Sequence, residues 1–448
     1  MVLKQQYGGY ITEAETMKKI IKAGMLGIGN VGRGTYQALE MNRHKIAEST
    51  GFDIEIVKIL NRHPEKNRGI DIPKEKYTPD PDDILTDPEI DIVIELIGGI
   101  EPATEYMARA MQHGKSVVTA NKAAIAANGK KLSRIAQENH VLLRFEAAVA
   151  GGIPILTSLT TALLSNRFSE VHGILNGTTN YILTQMAQYG KSYEEALSDA
   201  QAKGFAEADP TADVEGLDAA NKLSILISLI FGVDASPEAI PTQGITKVGS
   251  ADMVFAKESG YAIKLLASAR ESDGKVYGNV EPVLVPVSHP LASVGNEYNA
   301  VFVTGNAVDD LMFYGRGAGP LPTGSAVLGD VIGVARKLEK DSAYDIVPQL
   351  RYDSDPPFAG EGESKYYIRM MVPDRPGVLG VITTVFGQHG ISMETIQQKA
   401  PYEEDGERVA PIIFIVFKTG KARLLEALEA IKGEGVIKSV DNIMRVEE

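Results

Sequence analysis

The sequence predicts an α/β protein of three units: a doubly wound parallel sheet, a second α+β unit, and a small C-terminal β-α-β-β-α-β unit. Three observations carry that prediction. Short apolar runs alternate with helical stretches up to about residue 150, the pattern of a parallel sheet covered on both faces. From Gly151 the pattern changes to "GGIPILTSL" and then "VHGILNGTTNYILTQM", a strand running through Asn176-Gly177 into a helix capped by threonine. After "RYDSDPPFAGEGESK" (Arg351 to Lys365), which reads as a linker, strands and helices resume in the ferredoxin-like order. A chain of 448 residues exceeds one core, and the expected divisions are 1–150 completed by 310–350, 151–309, the linker 351–365, and 366–448.

Composition narrows the function. A hydrophobic fraction of 44% against 23% charged residues suits a folded, soluble protein. A formal charge of -14 without a basic cluster argues against nucleic acid as a partner. Zero cysteines exclude disulfides, thiolate metal sites and a cysteine nucleophile, and fit a reducing compartment. The longest apolar runs, Ile225 to Phe231 and Ile412 to Phe417, fall far short of the roughly 20 residues that cross a bilayer, so no membrane span is expected. The N-terminal "MVLKQQYGGYITEAETMKK" has no apolar h-region, and the expected location is cytoplasmic.

In the first unit, "IKAGMLGIGNVGRGTYQALEM" reads as strand, turn and helix around Gly27, Gly29, Asn30, Val31 and Gly32. Gly27 permits the tight turn, Gly29 lets the backbone approach a pyrophosphate, and Gly32 allows close helix packing. Further strands at Ile54 to Leu60, Asp91 to Gly99 and Lys115 to Lys122 supply the context of a Rossmann-type sheet binding NAD or NADP. A carboxylate at the end of the second strand would select NAD, but the chain has Asn61-Arg62 there. Arg62 suits a 2′-phosphate, or is an ordinary solvated arginine. Lys122 closes its strand at the carboxyl end, where ligands of such sheets collect, although a surface lysine also fits.

The stretch "EADPTADVEGLDAANKLSILI" gathers Glu207, Asp209, Asp213, Glu215 and Asp218 ahead of an apolar helix. Its "ADPTADVEG" is turn chemistry, and the helix begins at Leu217. Asp218 and Lys222 stand four apart on one helix face, so a surface ion pair is the ordinary reading. The residues after Lys222 are apolar nearly all round, which is how a buried helix looks. A buried lysine is unfavourable unless paired or used; desolvation lowers its pKa and the carboxylates raise it, setting it to exchange a proton near neutral pH. Glu207, Asp209 and Asp213 would form an acidic cup for a substrate ammonium group.

With "GIGNVGRG", "ELIGGIEPA", "VTANKAAIA", "FEAAVAGGIPI", "GILNGTTNYIL", "KGFAEADPTADVEGLDAANKL" and "GRGAGPLPTGSAV" in this order, the chain resembles homoserine dehydrogenases that carry a C-terminal ACT domain. The resemblance implies reversible NAD(P)-dependent oxidation of L-homoserine to L-aspartate 4-semialdehyde, on the route to threonine, methionine and isoleucine. It assigns acid/base chemistry to Lys222, substrate binding to Asp218 and Glu207, and a place beside nicotinamide and substrate to Lys122. Gly204 and Gly319 match glycines whose backbone lines the cofactor. Glu146, Val149, Gly151 and Ile153 match positions that hold a monovalent cation, sodium or potassium, largely through main-chain oxygens. The helix beginning near Thr323 resembles the segment that returns to the nucleotide-binding sheet.

The C-terminal "DRPGVL" looks like an ACT domain, which in related enzymes binds a small amino acid and often pairs across subunits, so a homo-oligomer (dimer or tetramer) is expected. Pro376 suits a first helical turn, and Gly377 to Leu379 with Gly390 to Ser392 are the expected effector contacts. Threonine is the expected effector, although "IIFIVFKT" departs from the ending such a strand would carry. With no kinase region ahead of Gly27, a monofunctional enzyme is expected. Two other readings share parts of the pattern: a lyase or epimerase with tightly bound NAD, and a non-catalytic amino-acid sensor.

Overall fold

The computed structural model describes residues 19–63, 69–340, 350, 352 and 356–447. The N-terminal stretch read for targeting signals lies outside these residues up to position 18, as do 341–349 and much of the linker's first half. The first sheet has six parallel strands, β1 (Lys19–Leu26), β2 (Phe52–Leu60), β3 (Tyr77–Thr78), β4 (Ile92–Glu95), β5 (Ser116–Thr119) and β6 (Leu143–Arg144). Their order, β3-β2-β1-β4-β5-β6, puts the switch point between β1 and β4, so the crevice opens at the carboxyl ends of those two strands. Helix α1 (Asn30–Thr50) follows β1, and α2 (Lys122–Glu138) follows β5. Lys122 thus opens a helix rather than closing a strand, because the Asn121 side chain accepts the Ala124 N–H and caps α2 there.

The second sheet has ten strands, nine of them on one continuous path and the tenth paired beside it. One half comprises β7 (Phe168–Ile174), β8 (Tyr261–Ser272), β9 (Lys275–Pro286), β10 (Tyr298–Gly305) and β11 (Asp309–Arg316). The helices α3 (Gly177–Tyr189) and α4 (Leu217–Phe231) pack over it. Asn176, not threonine, caps α3, since its side chain reaches the Thr179 N–H at 2.9 Å. The "ADPTADVEG" segment read as turn contains one short helical turn, Thr211–Val214. Helix α5 (Pro320–Lys340) returns to lie along α1, where Val327, Val331 and Val334 join Leu39 in one buried cluster.

The remaining strands are β12 (Ser364–Pro373), β13 (Met393–Gln398), β14 (Tyr402–Glu404), β15 (Glu407–Thr419) and β16 (Ser439–Val446), with α6 (Val378–Gln388) and α7 (Lys421–Gly433) on one side. Pro376 precedes α6, because Gly377 in the left-handed conformation (φ 93°) is the cap residue and Val378 starts the helix. From residue 356 onward the linker is also more ordered than its composition implies. Phe358 bridges Val276, and the Gly278 N–H donates to Gly360 O at 2.9 Å, so this segment lies along β9.

Candidate active site

The cleft between the two sheets has a volume of about 780 Å³. From the nucleotide-binding side it is lined by Asn30, Val31 and Lys122, and from the returning chain by Gly319. Gly151, Gly204, Glu207, Asp213, Asp218 and Lys222 line it from the other side. Gly27 (φ 99°) makes the turn beneath, and a Cβ at Gly32 would sit 2.5 Å from Gly27 O, so the helix packs against the turn only with glycine there. A Cβ at Gly29 would meet nothing within 4 Å, and α1 starts there without a side-chain cap. Its first N–H groups therefore face open space, the arrangement that accepts a pyrophosphate. Arg62 stands exposed just past the end of β2.

Asp218 is the centre of the opposite wall. Its Oδ2 accepts from Lys222 Nζ at 2.7 Å, and its Oδ1 is ion-paired with Lys122. Lys222 Nζ also donates to Leu175 O at 2.6 Å, which anchors the amine to the end of β7. The Asp218–Lys222 pair is 6% and 9% exposed at its side chains, so it is not a surface ion pair; the Lys122 side chain is 43% exposed. Burial alone would raise the Asp218 carboxyl, yet the Lys222 and Lys122 ammonium groups hold it well below the usual carboxylate range. Burial pushes the Lys222 amine down, with Asp218 opposing and Lys122 adding to the fall. Burial would also lower Lys122, but Asp218, helped by Asp213 and Glu207, holds it above its ordinary value.

Two side chains met in the sequence behave differently from one another in the acidic cup. Asp213 is partly buried, and burial pushes its carboxyl up, with donation from Asn176 opposing and the Asp218 charge adding. Asp209 turns back on its own loop, accepting from the Thr211 N–H at 3.1 Å and Thr211 Oγ1 at 2.6 Å. Glu207 is exposed on the same rim. Asn176 and Arg316 also belong to the site, and neither stands out in the sequence as a site residue. Asn176 donates to both Asp213 and Asp218, and Arg316 pairs with Glu297 at 2.9 Å on the cleft wall. The only signals were the "LNGTTN" turn and the "GRGAGP" run.

Glu146, Val149, Gly151 and Ile153 lie on one buried turn behind the cleft, with only Gly151 lining it. The Glu146 carboxylate accepts the N–H groups of Leu156 and Thr157 at 2.9 and 2.7 Å, and Ile153 O accepts the Ile155 N–H at 2.8 Å. Among the described residues no cluster of three His, Cys, Asp or Glu side chains is placed to hold a metal. Main-chain oxygen is the donor type that the turn offers, and it suits a hard monovalent ion.

A Rossmann-type sheet with an open helix N-terminus, facing a buried lysine held by a carboxylate, defines a nicotinamide-dependent oxidoreductase. The family model described as "Homoserine dehydrogenase, NAD binding domain" matches residues 27–146, "Homoserine dehydrogenase" matches 154–332, and "ACT domain" matches 366–435. A homoserine dehydrogenase of Bacillus subtilis is 39% identical over 96% of this chain and 99% of its own length, and one of Pseudomonas aeruginosa is 41% identical with the same coverage. A crystal structure of a homoserine dehydrogenase from Thiobacillus denitrificans superposes with a TM-score of 0.89 at 37% identity, covering 96% of this chain and 99% of that one. A hyperthermophilic archaeal homoserine dehydrogenase in complex with NADPH gives 0.60 at 26% identity, covering 74% of this chain and 100% of that one. The chain belongs to the homoserine dehydrogenase family. Among the described residues no helix is long and apolar enough to cross a membrane.

Proposed function

We propose that the cleft oxidises the hydroxyl of L-homoserine to the aldehyde of L-aspartate 4-semialdehyde, and reverses that step, with Lys222 as the acid/base group. The observation that carries this reading is the single carboxylate shared by two lysines of opposite tendency. Burial favours the neutral amine at Lys222, so it is the one that gives up and regains a proton. Lys122 stays charged beside Asp218 and stabilises negative charge that develops on the substrate oxygen. A bound nicotinamide accepts or supplies the hydride. In oxidation, neutral Lys222 removes the hydroxyl proton while the substrate carbon loses hydride; in reduction, its ammonium protonates the oxygen as hydride arrives. Asp218 holds the amine in register, and Glu207 with Asp213 takes the substrate ammonium.

NADP is the proposed cofactor, because Arg62 stands where a carboxylate would mark NAD, and NADPH is the ligand named for the archaeal relative. Gly27, Gly29, Asn30, Val31, Gly32, Gly204 and Gly319 are proposed to shape its seat. A sodium or potassium ion is proposed on the turn of Glu146, Val149, Gly151 and Ile153. An amino-acid effector, threonine first among candidates, is proposed for the cavity of about 540 Å³ lined by Gly377, Val378 and Leu379 with Arg375 and Arg408; Gly390 to Ser392 do not line it. A homo-oligomer and a place in threonine, methionine and isoleucine synthesis complete the reading.

Replacing Lys222 tests it. Lys222→Ala should lower kcat for homoserine-dependent formation of reduced nicotinamide by about 1,000-fold, within the range general acid/base groups contribute, while leaving dinucleotide affinity intact. Turnover within a few-fold of the parent enzyme would end the assignment of Lys222 as the acid/base group, whereas a parent enzyme with no homoserine-dependent turnover would favour the sensor reading.

A further inference from the structure

We propose that Asn176 is a positioning residue that fixes the distance between the substrate-binding carboxylate of Asp213 and the proton-exchange pair of Asp218 and Lys222. The inference rests on the roles proposed above for those three residues. Asn176 is 5% exposed, at the N-cap of α3. Its Nδ2 donates to Asp213 Oδ1 at 2.6 Å and to Asp218 Oδ2 at 3.0 Å, one N–H for each carboxylate. Its Oδ1 accepts from the Thr179 N–H at 2.9 Å and from Thr179 Oγ1 at 3.1 Å. Because a backbone N–H can only donate, the amide oxygen must face Thr179 and the NH₂ must face the two carboxylates.

Both donors of this carboxamide are therefore committed, and its oxygen is held by the Thr179 N–H, with the single Thr179 hydroxyl hydrogen shared between that oxygen and Asn176 O at 3.1 Å each. Two carboxylates that would otherwise repel are held within 3.0 Å of one nitrogen. Asp213 would carry the substrate ammonium, while Asp218 orders Lys222, itself anchored on Leu175 O next to Asn176. The spacing from the bound substrate to the acid/base amine thus runs through one side chain, and a misplacement of about 1 Å is enough to lower turnover by roughly 100-fold.

Capping and positioning can be separated, because serine and aspartate cap helices about as well as asparagine but cannot bridge two carboxylates by donation. Asn176→Ser should melt close to the parent enzyme and bind NADP as before, whereas Asn176→Asp, which buries a third carboxylate beside Asp213 and Asp218, should melt lower. Each should lose about 100-fold in kcat/KM for homoserine, with both kcat and KM affected. In Asn176→Asp an added carboxylate beside Asp218 favours the ammonium form of Lys222, so the pH at which oxidation rises should move upward. Asn176→Ser with kcat/KM within about three-fold of the parent and an unshifted pH profile would reduce Asn176 to a helix cap and overturn the proposal. The parent enzyme, assayed first with homoserine and NADP, keeps the two readings apart. Absence of homoserine-dependent turnover there sinks the proposed function, whereas normal parent turnover with unimpaired serine and aspartate variants sinks only this inference.

Discussion

Lys122 and Lys222 contact the same carboxylate, yet one is held above and the other below its ordinary pKa. The difference is solvent access: the Lys122 side chain is 43% exposed and that of Lys222 9%. Lys122 also pushes its neighbour down by like charge, which gives a pH prediction. Lys122→Gln removes that charge, so Lys222 keeps its proton to higher pH. Oxidation requires the neutral amine, and the acid limb of kcat/KM should therefore move upward; reduction requires the ammonium, and its alkaline limb should move upward too. Profiles measured in both directions check the sign, and a downward shift of either limb would contradict it. At this scale the sequence was informative about charge and silent about hydrogen bonds. The helical spacing of Asp218 and Lys222 and the apolar run behind them carried the buried pair. The carboxamide of Asn176 reaches partners 37 and 42 positions away, a relation that no local pattern encodes.

Elements were legible wherever periodicity carried them, and less so at their ends. Lys122 was read at a strand end and starts a helix, while the α3 cap fell on Asn176 rather than a threonine, because adjacent residues in "NGTT" all have capping chemistry. The crossing of α1 with α5 was legible only as an amphipathic helix. Its contact depends on Gly34 and Gly324: a Cβ at Gly34 would fall 1.8 Å from Pro320 O, and one at Gly324 would fall 2.4 Å from Gly34 C. Pro320 and Gly319 also line the cleft, so this crossing sets the distance between the returning chain and the α1 N-terminus. Gly34→Ala should lower stability by about 1–3 kcal/mol, the usual result of overpacking, and raise KM for the dinucleotide more than KM for homoserine. Thermal melts and steady-state titrations of both substrates check it, and an unchanged melting point would show that the helices can move apart freely.

Across the whole molecule, the C-terminal unit is not an appendage on a flexible tether. Strand β16 adds in parallel to β9, with Arg445 opposite Val283 and Val446 opposite Leu284, so one sheet crosses from the catalytic half to the C-terminal half. No local pattern signals this join, because it pairs strands that belong to separately patterned units. Tyr367, Ile413, Ile415, Met444 and Val446 belong to the same buried cluster as Leu223 and Leu226 of α4. The junction also buries charge: Glu281 on β9 lies 3.4 Å from Lys421 of α7 and 3.6 Å from Arg445 of β16. Burial pushes the Glu281 carboxyl up, and those two cations oppose it. Lys421→Met removes one of them and also strands Glu361, which Lys421 holds at 2.7 Å. Breaking a buried pair from one side is destabilising by about 3 kcal/mol or more. Because the shared cluster couples the halves, that loss should lower a single calorimetric transition rather than release the C-terminal unit alone. A parent melt already split into two independent transitions would mean that the shared sheet does not couple them, and Lys421→Met would then lower only the transition of the C-terminal unit.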